Sequence, residues 1–432
     1  MTRTARVDAV VVGAGPAGLA CATDLCDAGL EVVLLESAGR VGGRMVSDYQ
    51  DGFVLDRGFQ VFNTAYPQVR RRVDLRALRL KAFEAGFVLA RGARGERRDR
   101  VADPTREPGA LPGMLRLGPP RDLLALAALG TWDMLAPVGL VKRRRGTTVR
   151  QALQGAGLDD AFCEAVLAPF LRGVFLDQDL AVSGRFFHLV LRSMLRGSLC
   201  LPERGVAQIP LQLAERLPVG VLRLGSGVER LDGDGVRLAE GGQVRAPAVV
   251  VATGPAAARA LLPQLPPVSA RAVTTLYHAA PEAPWPSRQL LVDGDGQLLH
   301  TSVVSNVQPG YAPPGVALVS TSLLGTASPE QVQAAERRLA ELYRTSTRTW
   351  ERIAVHRISE ALPALPAAQP LSLRTRLGPG RYVCGDHRAT ASVQGALASG
   401  AHAAREVLHD LAARQPRPEA LRELRNASGA TR

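Results

Sequence analysis

The residues best placed to do chemistry are three glycines and a carboxylate. Gly13, Gly15 and Gly18 follow directly on the apolar run 7–12, and Glu36 closes a second apolar run, 32–35. An apolar run, a GxGxxG turn, a helix, a second run and an acid, in that order, describe a nucleotide-binding βαβ unit. Gly13 allows the tight turn out of the strand. Gly15 lets a pyrophosphate approach bare backbone, and Gly18 lets helix pack closely on strand. Pro16 and Ala17 open the helix, whose free N–H groups and positive dipole end face the phosphates. Glu36, followed by Ser37, can accept hydrogen bonds from both ribose hydroxyls, and its charge disfavours a 2′-phosphate. No second GxGxxG occurs, so a separate nicotinamide site is not expected.

Two further glycine-rich pieces stand far apart in the chain. GRVGGR supplies Arg40, Gly42, Gly43 and Arg44, and VCGDHRATASVQGALASGAHAA supplies Gly385, Asp386, Val393, Gln394 and Ala396. Together with the first piece they resemble the superfamily of flavin-containing amine oxidases, phytoene desaturases and protoporphyrinogen oxidases. The resemblance implies FAD. In that superfamily the diglycine and its arginine lie against the flavin side of the cofactor, and the aspartate after the glycine binds ribitol or pyrophosphate. The segment LDRGFQVF, with Asp56, Gly58, Phe59 and Gln60, resembles the stretch that passes close to the flavin. The residue matching Val228 holds the adenine through its backbone. SVQGALASGAHAA is similar to the family's EGAxxSGxxAA helix, with Gln394 in place of the usual glutamate. Independently of any family, Gly395 and Ala396 start an Ala-rich helix whose free N–H groups can face flavin N1 and O2. ALPALPAAQP contains no cysteine at the place where some relatives attach FAD, which implies non-covalent binding.

These pieces must be held by an α/β fold: a Rossmann-like, glutathione-reductase-type FAD-binding domain assembled from three segments, 1–75, 200–268 and 352–415. Residues 76–199 and 269–351 are then an inserted α+β substrate domain, the first part mainly helical and the second carrying strand-like runs. Residues 416–432 read as a flexible tail. A length of 432 residues suits two domains, and 46% apolar residues suffice for a sizeable core. Phe162, Phe170, Phe175, Phe186 and Phe187 cluster in the helical insertion, where some should line a pocket and the rest pack the core.

The net charge is +13, nearly all from arginine, because Lys81 and Lys142 are the only lysines. The basic clusters are not interleaved with aromatics, so no nucleic-acid partner is expected. LLALAALGTWDMLAPVGLVKRRRG, within 121–146, is apolar and then basic. With Asp133 and Pro137 inside it, it does not read as a spanning helix. It reads either as an ordinary buried helix or as an interfacial segment drawn to anionic lipid. Five cysteines and seven histidines show no ligand spacing, so no metal is expected, and the chain reads as cytoplasmic with reduced thiols. His387 reads as a hydrogen-bonded loop residue, and Tyr277 and His278 as residues that shape the pocket.

The substrate reading turns on missing residues. The resemblance to amine oxidases implies a lysine that holds water against flavin N5, yet VTTLYHAAPEAPWP has none. The aromatic that cages an amine is replaced by Ser392 and Val393. The expectation is an oxidoreductase that takes hydride from an apolar, carotenoid- or isoprenoid-like substrate to flavin N5. Dioxygen or a quinone would reoxidise the flavin, and no catalytic acid–base residue is assigned. Alternatives are an amine or amino-acid oxidase, a porphyrinogen-type oxidase, a flavin-dependent isomerase and a non-enzymatic lipid-binding chaperone of the same fold.

Overall fold

The computed structural model describes residues 5–103 and 105–414. The expected tail, 416–432, lies outside the described residues. Short Val-rich runs form the centre of a six-stranded sheet. Its order is Leu222–Arg223, Val32–Leu35, Ala9–Val12, Ala248–Val251, Arg381–Val383 and Arg376–Gly378. The first five strands are parallel, and the last turns back antiparallel. Residues buried on both faces need no polar alternation, which is why these strands read as unbroken apolar runs. Ala9 and Val11 pack on one side, where helices Pro16–Asp27 and Val393–Arg414 lie. Val10 and Val12 pack on the other, against Val236 and Val244 of a four-stranded sheet. The two helices meet at Gly400, where a Cβ would come within 2.1 Å of the Ala17 carbonyl oxygen. Only glycine fits this approach.

A seven-stranded sheet forms the second lobe, in the order Glu351–Pro363, Ala270–Ala280, Ala317–Leu324, His300–Val303, Leu290–Asp293, Phe87–Arg91 and Arg97–Val101. Helices between residues 111 and 196 cover one face through Phe87, Leu89, Leu290 and Val292. Helix Pro329–Tyr343 covers the other through Val88, Ala90 and Leu291. Buried Arg338 ties that helix to the sheet by an ion pair with Asp293 at 2.7 Å.

Two features differ from the sequence expectation. The part expected to be mainly helical contributes two strands to this sheet, because Phe87–Arg91 buries both faces and so completes the sheet begun by the other insertion. The basic stretch 91–100 includes the edge strand of this sheet, with Arg91 and Arg97 paired to Asp99. Strand Glu351–Pro363, expected in the third FAD-binding segment, pairs instead with Ala270–Ala280 in the second lobe. Its polar, half-buried alternation suits an edge strand, not the fully buried parallel sheet.

Candidate functional site

A cavity of about 1240 Å³ is lined by residues of both lobes. At one end stands the first glycine turn. Gly13 has φ +102° and donates its N–H to the Leu35 carbonyl at 2.7 Å. A Cβ on Gly18 would sit 1.9 Å from the Gly13 carbonyl oxygen, whereas one on Gly15 would meet no atom within 4 Å. Gly18 thus closes the turn from behind, and Gly15, Pro16 and Ala17 present bare wall to the cavity. Glu36 is fixed beside them: Oε2 accepts from the Ala14 N–H at 2.8 Å and Oε1 from the Ala38 N–H at 2.9 Å. The Ser37 hydroxyl donates to the same carboxylate at 3.3 Å. Val228, which opens strand Val228–Asp232, also lines this end.

The middle of the cavity joins the three glycine-rich pieces. Gly42 and Gly43 both have left-handed backbone, at φ +110° and +57°, and the Cβ position of Gly43 lies 3.5 Å from the Cα of Gly15. Arg40 Nη1 donates to the Gly43 carbonyl at 3.3 Å. Arg44 Nη2 forms an ion pair with Asp386 Oδ1 at 2.6 Å, and Arg44 Nη1 donates to the Ala361 carbonyl. One arginine therefore clamps the diglycine segment to the Gly385-Asp386 turn and to the second lobe. Gly58, Phe59 and Gln60 line the same zone, with Gln60 Nε2 donating to the Arg44 and Arg57 carbonyls at 2.8 Å. Val393 and Ala396 face the cavity from the first turn of the last helix.

Of the residues expected to bind cofactor, all but Gly18 and Gln394 line this cavity. Gln394 points away, its Oε1 accepting the Gln68 N–H at 2.8 Å. The helix start also differs from expectation. The Gly395 N–H is not free but donates to Ser392 Oγ at 3.1 Å, and the Ala396 N–H donates to the Ser392 carbonyl. Gly395 is required for a separate reason: a Cβ there would lie 1.9 Å from the Thr390 carbonyl oxygen.

The far end of the cavity belongs to the second lobe. Helices Ala168–Phe175 and Gly184–Arg196 contribute Phe170, Val174, Phe175, Phe186, Val190 and Met194, and the sheet contributes Leu290, His300 and Ser322. Phe162 and Phe187 pack in the core instead. The two helices place no lysine and no carboxylate on the wall, while strand Glu351–Pro363 of the sheet brings Arg357 and Glu360 to the cavity. Tyr277 and His278 do not line the cavity. The Tyr277 hydroxyl donates to the Asp56 carbonyl, and His278 meets Glu336 at 3.1 Å. Asp56 is a buried hub, not a cavity group, accepting from the Val206 N–H and the Tyr311 hydroxyl. Burial raises its carboxyl pKa despite those bonds. His387 is buried with both ring nitrogens unpartnered, so the expected loop hydrogen bond is not made. Burial pushes its pKa down to about 4.

His300 is the residue that sequence reasoning missed. It is buried on a strand, its ring centroid lies 4.5 Å from that of Phe59, and desolvation lowers its pKa to about 4. Only strand pairing brings it to the cavity, and no local pattern in HTSV announces that.

Comparison with known proteins decides the family. Residues 16–408 match the flavin-containing amine oxidoreductases. The chain belongs to that family. It is 29% identical to coproporphyrinogen III oxidase of Propionibacterium freudenreichii over 347 residues, 67% of this chain and 65% of that protein. It is 54% identical to polyamine oxidase 3 of Oryza sativa over 50 residues, 12% of this chain and 10% of that one. The match thus spans less than two thirds of either relative. Cyclohexylamine oxidase of Brevibacterium oxydans has the same fold, at TM-score 0.69 and 17% identity over 94% of this chain and 99% of that one. As a flavin-containing amine oxidoreductase the protein is an FAD-dependent enzyme. The cavity suits that cofactor on its own terms: bare backbone at Gly15 is open to a pyrophosphate, an acid at Glu36 to a ribose, and Gly42 and Gly43 carry left-handed backbone and no side chain on the lining.

Proposed function

We propose that this flavin-containing amine oxidoreductase dehydrogenates an apolar substrate held over a non-covalently bound FAD. The observation that carries the reading is the far wall of the cavity, built from Phe170, Phe175, Phe186, Val190 and Met194 with neither lysine nor carboxylate among them. A protonated amine would leave water for these side chains, which offer it no counter-charge; the carboxylate that the sheet brings to the cavity is Glu360, on strand Glu351–Pro363. Bound FAD supplies the two-electron acceptor. The chain's own residues do the rest: Gly13, Gly15 and Pro16 receive the pyrophosphate, Glu36 the ribose and Val228 the adenine. Arg44 and Asp386 keep the two flavin-side turns in register. The aromatic wall orients the substrate and excludes water, which is most of what hydride transfer asks of a protein. Dehydrogenation also frees one proton from the adjacent carbon, which solvent must take, since no residue of the chain is assigned as its base.

The experiment is an anaerobic screen that watches the flavin absorbance bleach. Polyenes with their saturated precursors, porphyrinogens and polyamines are offered in detergent. Bleaching by a polyene precursor supports the reading, and rapid bleaching by a polyamine sinks it. The likeness to coproporphyrinogen III oxidase favours a second reading, porphyrinogen oxidation, which the same screen detects.

An apolar substrate resides in lipid, and the surface carries a matching feature. Leu111, Leu115, Leu124, Leu135, Val138 and Leu140 are exposed on successive helices between residues 111 and 143, next to exposed Lys142, Arg143, Arg144 and Arg145. We take this patch as a peripheral contact with anionic membrane. No helix among the described residues is long and apolar enough to cross one.

A further inference from the structure

The sheet wall of the cavity carries polar atoms that the proposed apolar substrate leaves unexplained. His300 pairs in register with Ser322 on the neighbouring antiparallel strand, and Ser322 with Thr275 on the next. Residues directly opposite in antiparallel pairs put their side chains on the same face, so the three form one row across the sheet. His300 and Ser322 line the cavity, with 8% and 1% of their surfaces exposed. His300 Nε2, Ser322 Oγ and Thr275 Oγ1 have no hydrogen-bond partner. Proteins satisfy the large majority of such buried side-chain groups, because each orphan costs about 1–3 kcal/mol. Three in one row, two of them in residues that line the cavity, call for a partner that a turn of the His300 ring or of the Ser322 side chain would bring within reach.

We infer that His300 and Ser322 recognise one uncharged polar group, a hydroxyl or a carbonyl, on the otherwise apolar substrate. The inference rests on the proposed function and narrows its substrate class. Charge selects among ligands. The row holds no cation for a carboxylate and no carboxylate for an ammonium. It continues to Val292 on one side, and on the other to His356, whose Nε2 lies 3.4 Å from Asp48. The His300 imidazole is neutral at physiological pH because burial pushes its pKa down to about 4. A neutral imidazole offers one donor or acceptor to the cavity, and a serine hydroxyl offers both, which suits an uncharged oxygen. Phe59 against the His300 ring fixes that ring's tilt beside the Gly58–Gln60 segment.

A matched pair of probes tests this: phytane, a branched C20 hydrocarbon, and phytanol, the same skeleton with a terminal hydroxyl. The FAD-loaded enzyme is titrated with each at equal mole fraction in detergent micelles, and the shift of the flavin visible spectrum is read. Phytanol is expected to saturate about tenfold earlier than phytane, the worth of one net hydrogen bond. In His300→Leu that preference should collapse. Ser322→Ala, a smaller change, gives the same test should the first variant lose its flavin. Equal affinities in the unaltered enzyme, or a preference that persists in both variants, overturn the inference and leave the apolar reading standing. If neither probe shifts the spectrum, both fail together.

Discussion

At the scale of single residues, the glycines of the first turn divide into two kinds, and substitution should separate them. A Cβ on Gly18 collides with the Gly13 carbonyl, whereas one on Gly15 enters open cavity. Gly18→Ala is therefore expected to lower the thermal midpoint of the cofactor-free protein. Gly15→Ala should leave that midpoint in place and weaken FAD binding, measured by fluorescence titration. Equal midpoints for the two variants would contradict the assignment. Glu36→Ala removes a charged acceptor and is expected to weaken FAD by on the order of 1.5–3 kcal/mol. His300 and His387 make a second prediction at this scale. Both are buried neutral with pKa values pushed down to about 4, below the ordinary value near 6.5. Below that ordinary value the unfolded chain takes up protons that the folded chain refuses, so unfolding gains on folding. The stability these histidines contribute is complete above about pH 6.5 and is lost as pH falls towards about 4. Urea unfolding between those limits should show a steep acid loss that flattens in the His300→Leu, His387→Leu double variant. An unchanged slope would mean that the rings are solvated.

At the scale of elements, the site depends on close approaches that side chains would prevent and on buried polar ties. Asp56 connects strand Phe53–Asp56 to the Val206 turn, and its Oδ2 accepts from the Tyr311 hydroxyl of the second lobe. Asp56→Ala leaves those donors and the Ser47 hydroxyl without an acceptor. At ~1–3 kcal/mol for each orphan, the expected loss of stability is about 3 kcal/mol or more. Denaturant midpoints at constant m-value measure it, and a loss below about 1 kcal/mol would show that water reaches the hub. The Rossmann strands were legible because a parallel strand buried on both faces is an apolar run, whatever its partners. Strand Glu351–Pro363 was misplaced because its alternating pattern states only that one face is wet, not which sheet it joins.

At the scale of the whole molecule, the apolar-then-basic stretch is neither wholly core nor wholly surface. Asp122 and Asp133 point inward and are buried, Asp133 bonding His188 Nδ1 at 2.8 Å. Arg192 donates to the Asp133 and Ala136 carbonyls and so caps helix Pro120–Leu135 from below. The leucines that remain outside, with Leu124 and Leu135 each about two-thirds exposed or more at 70% and 69%, lie on the outer side of helices that pack on Gly184–Arg196, part of the cavity wall. Co-sedimentation with vesicles containing anionic lipid is expected and should fall with salt. Leu124→Ser with Leu135→Ser should abolish it without loss of bound flavin. Binding that persists in this double variant would remove the patch from the argument. The single dinucleotide fingerprint carries a further expectation: NADH and NADPH should reduce the flavin slowly, if at all, in anaerobic stopped-flow. Fast, saturating reduction by either would reveal a site outside the glycine turns described.

Local chemistry, then, was readable from the chain: glycine where φ is positive or backbone must approach a ligand, an acid at the end of the second strand, an Ala-rich helix after a Gly-Asp turn. Such requirements are met by residues close in sequence, so spacing alone records them. The ion pair of Arg44 with Asp386, the orientation of Gln394 away from the cavity and the row of His300, Ser322 and Thr275 were decided only by tertiary structure. Each joins residues from separate segments. Strand register, which selects the face a side chain occupies, is set by the packing of both lobes and leaves no mark on a four-residue strand such as His300–Val303.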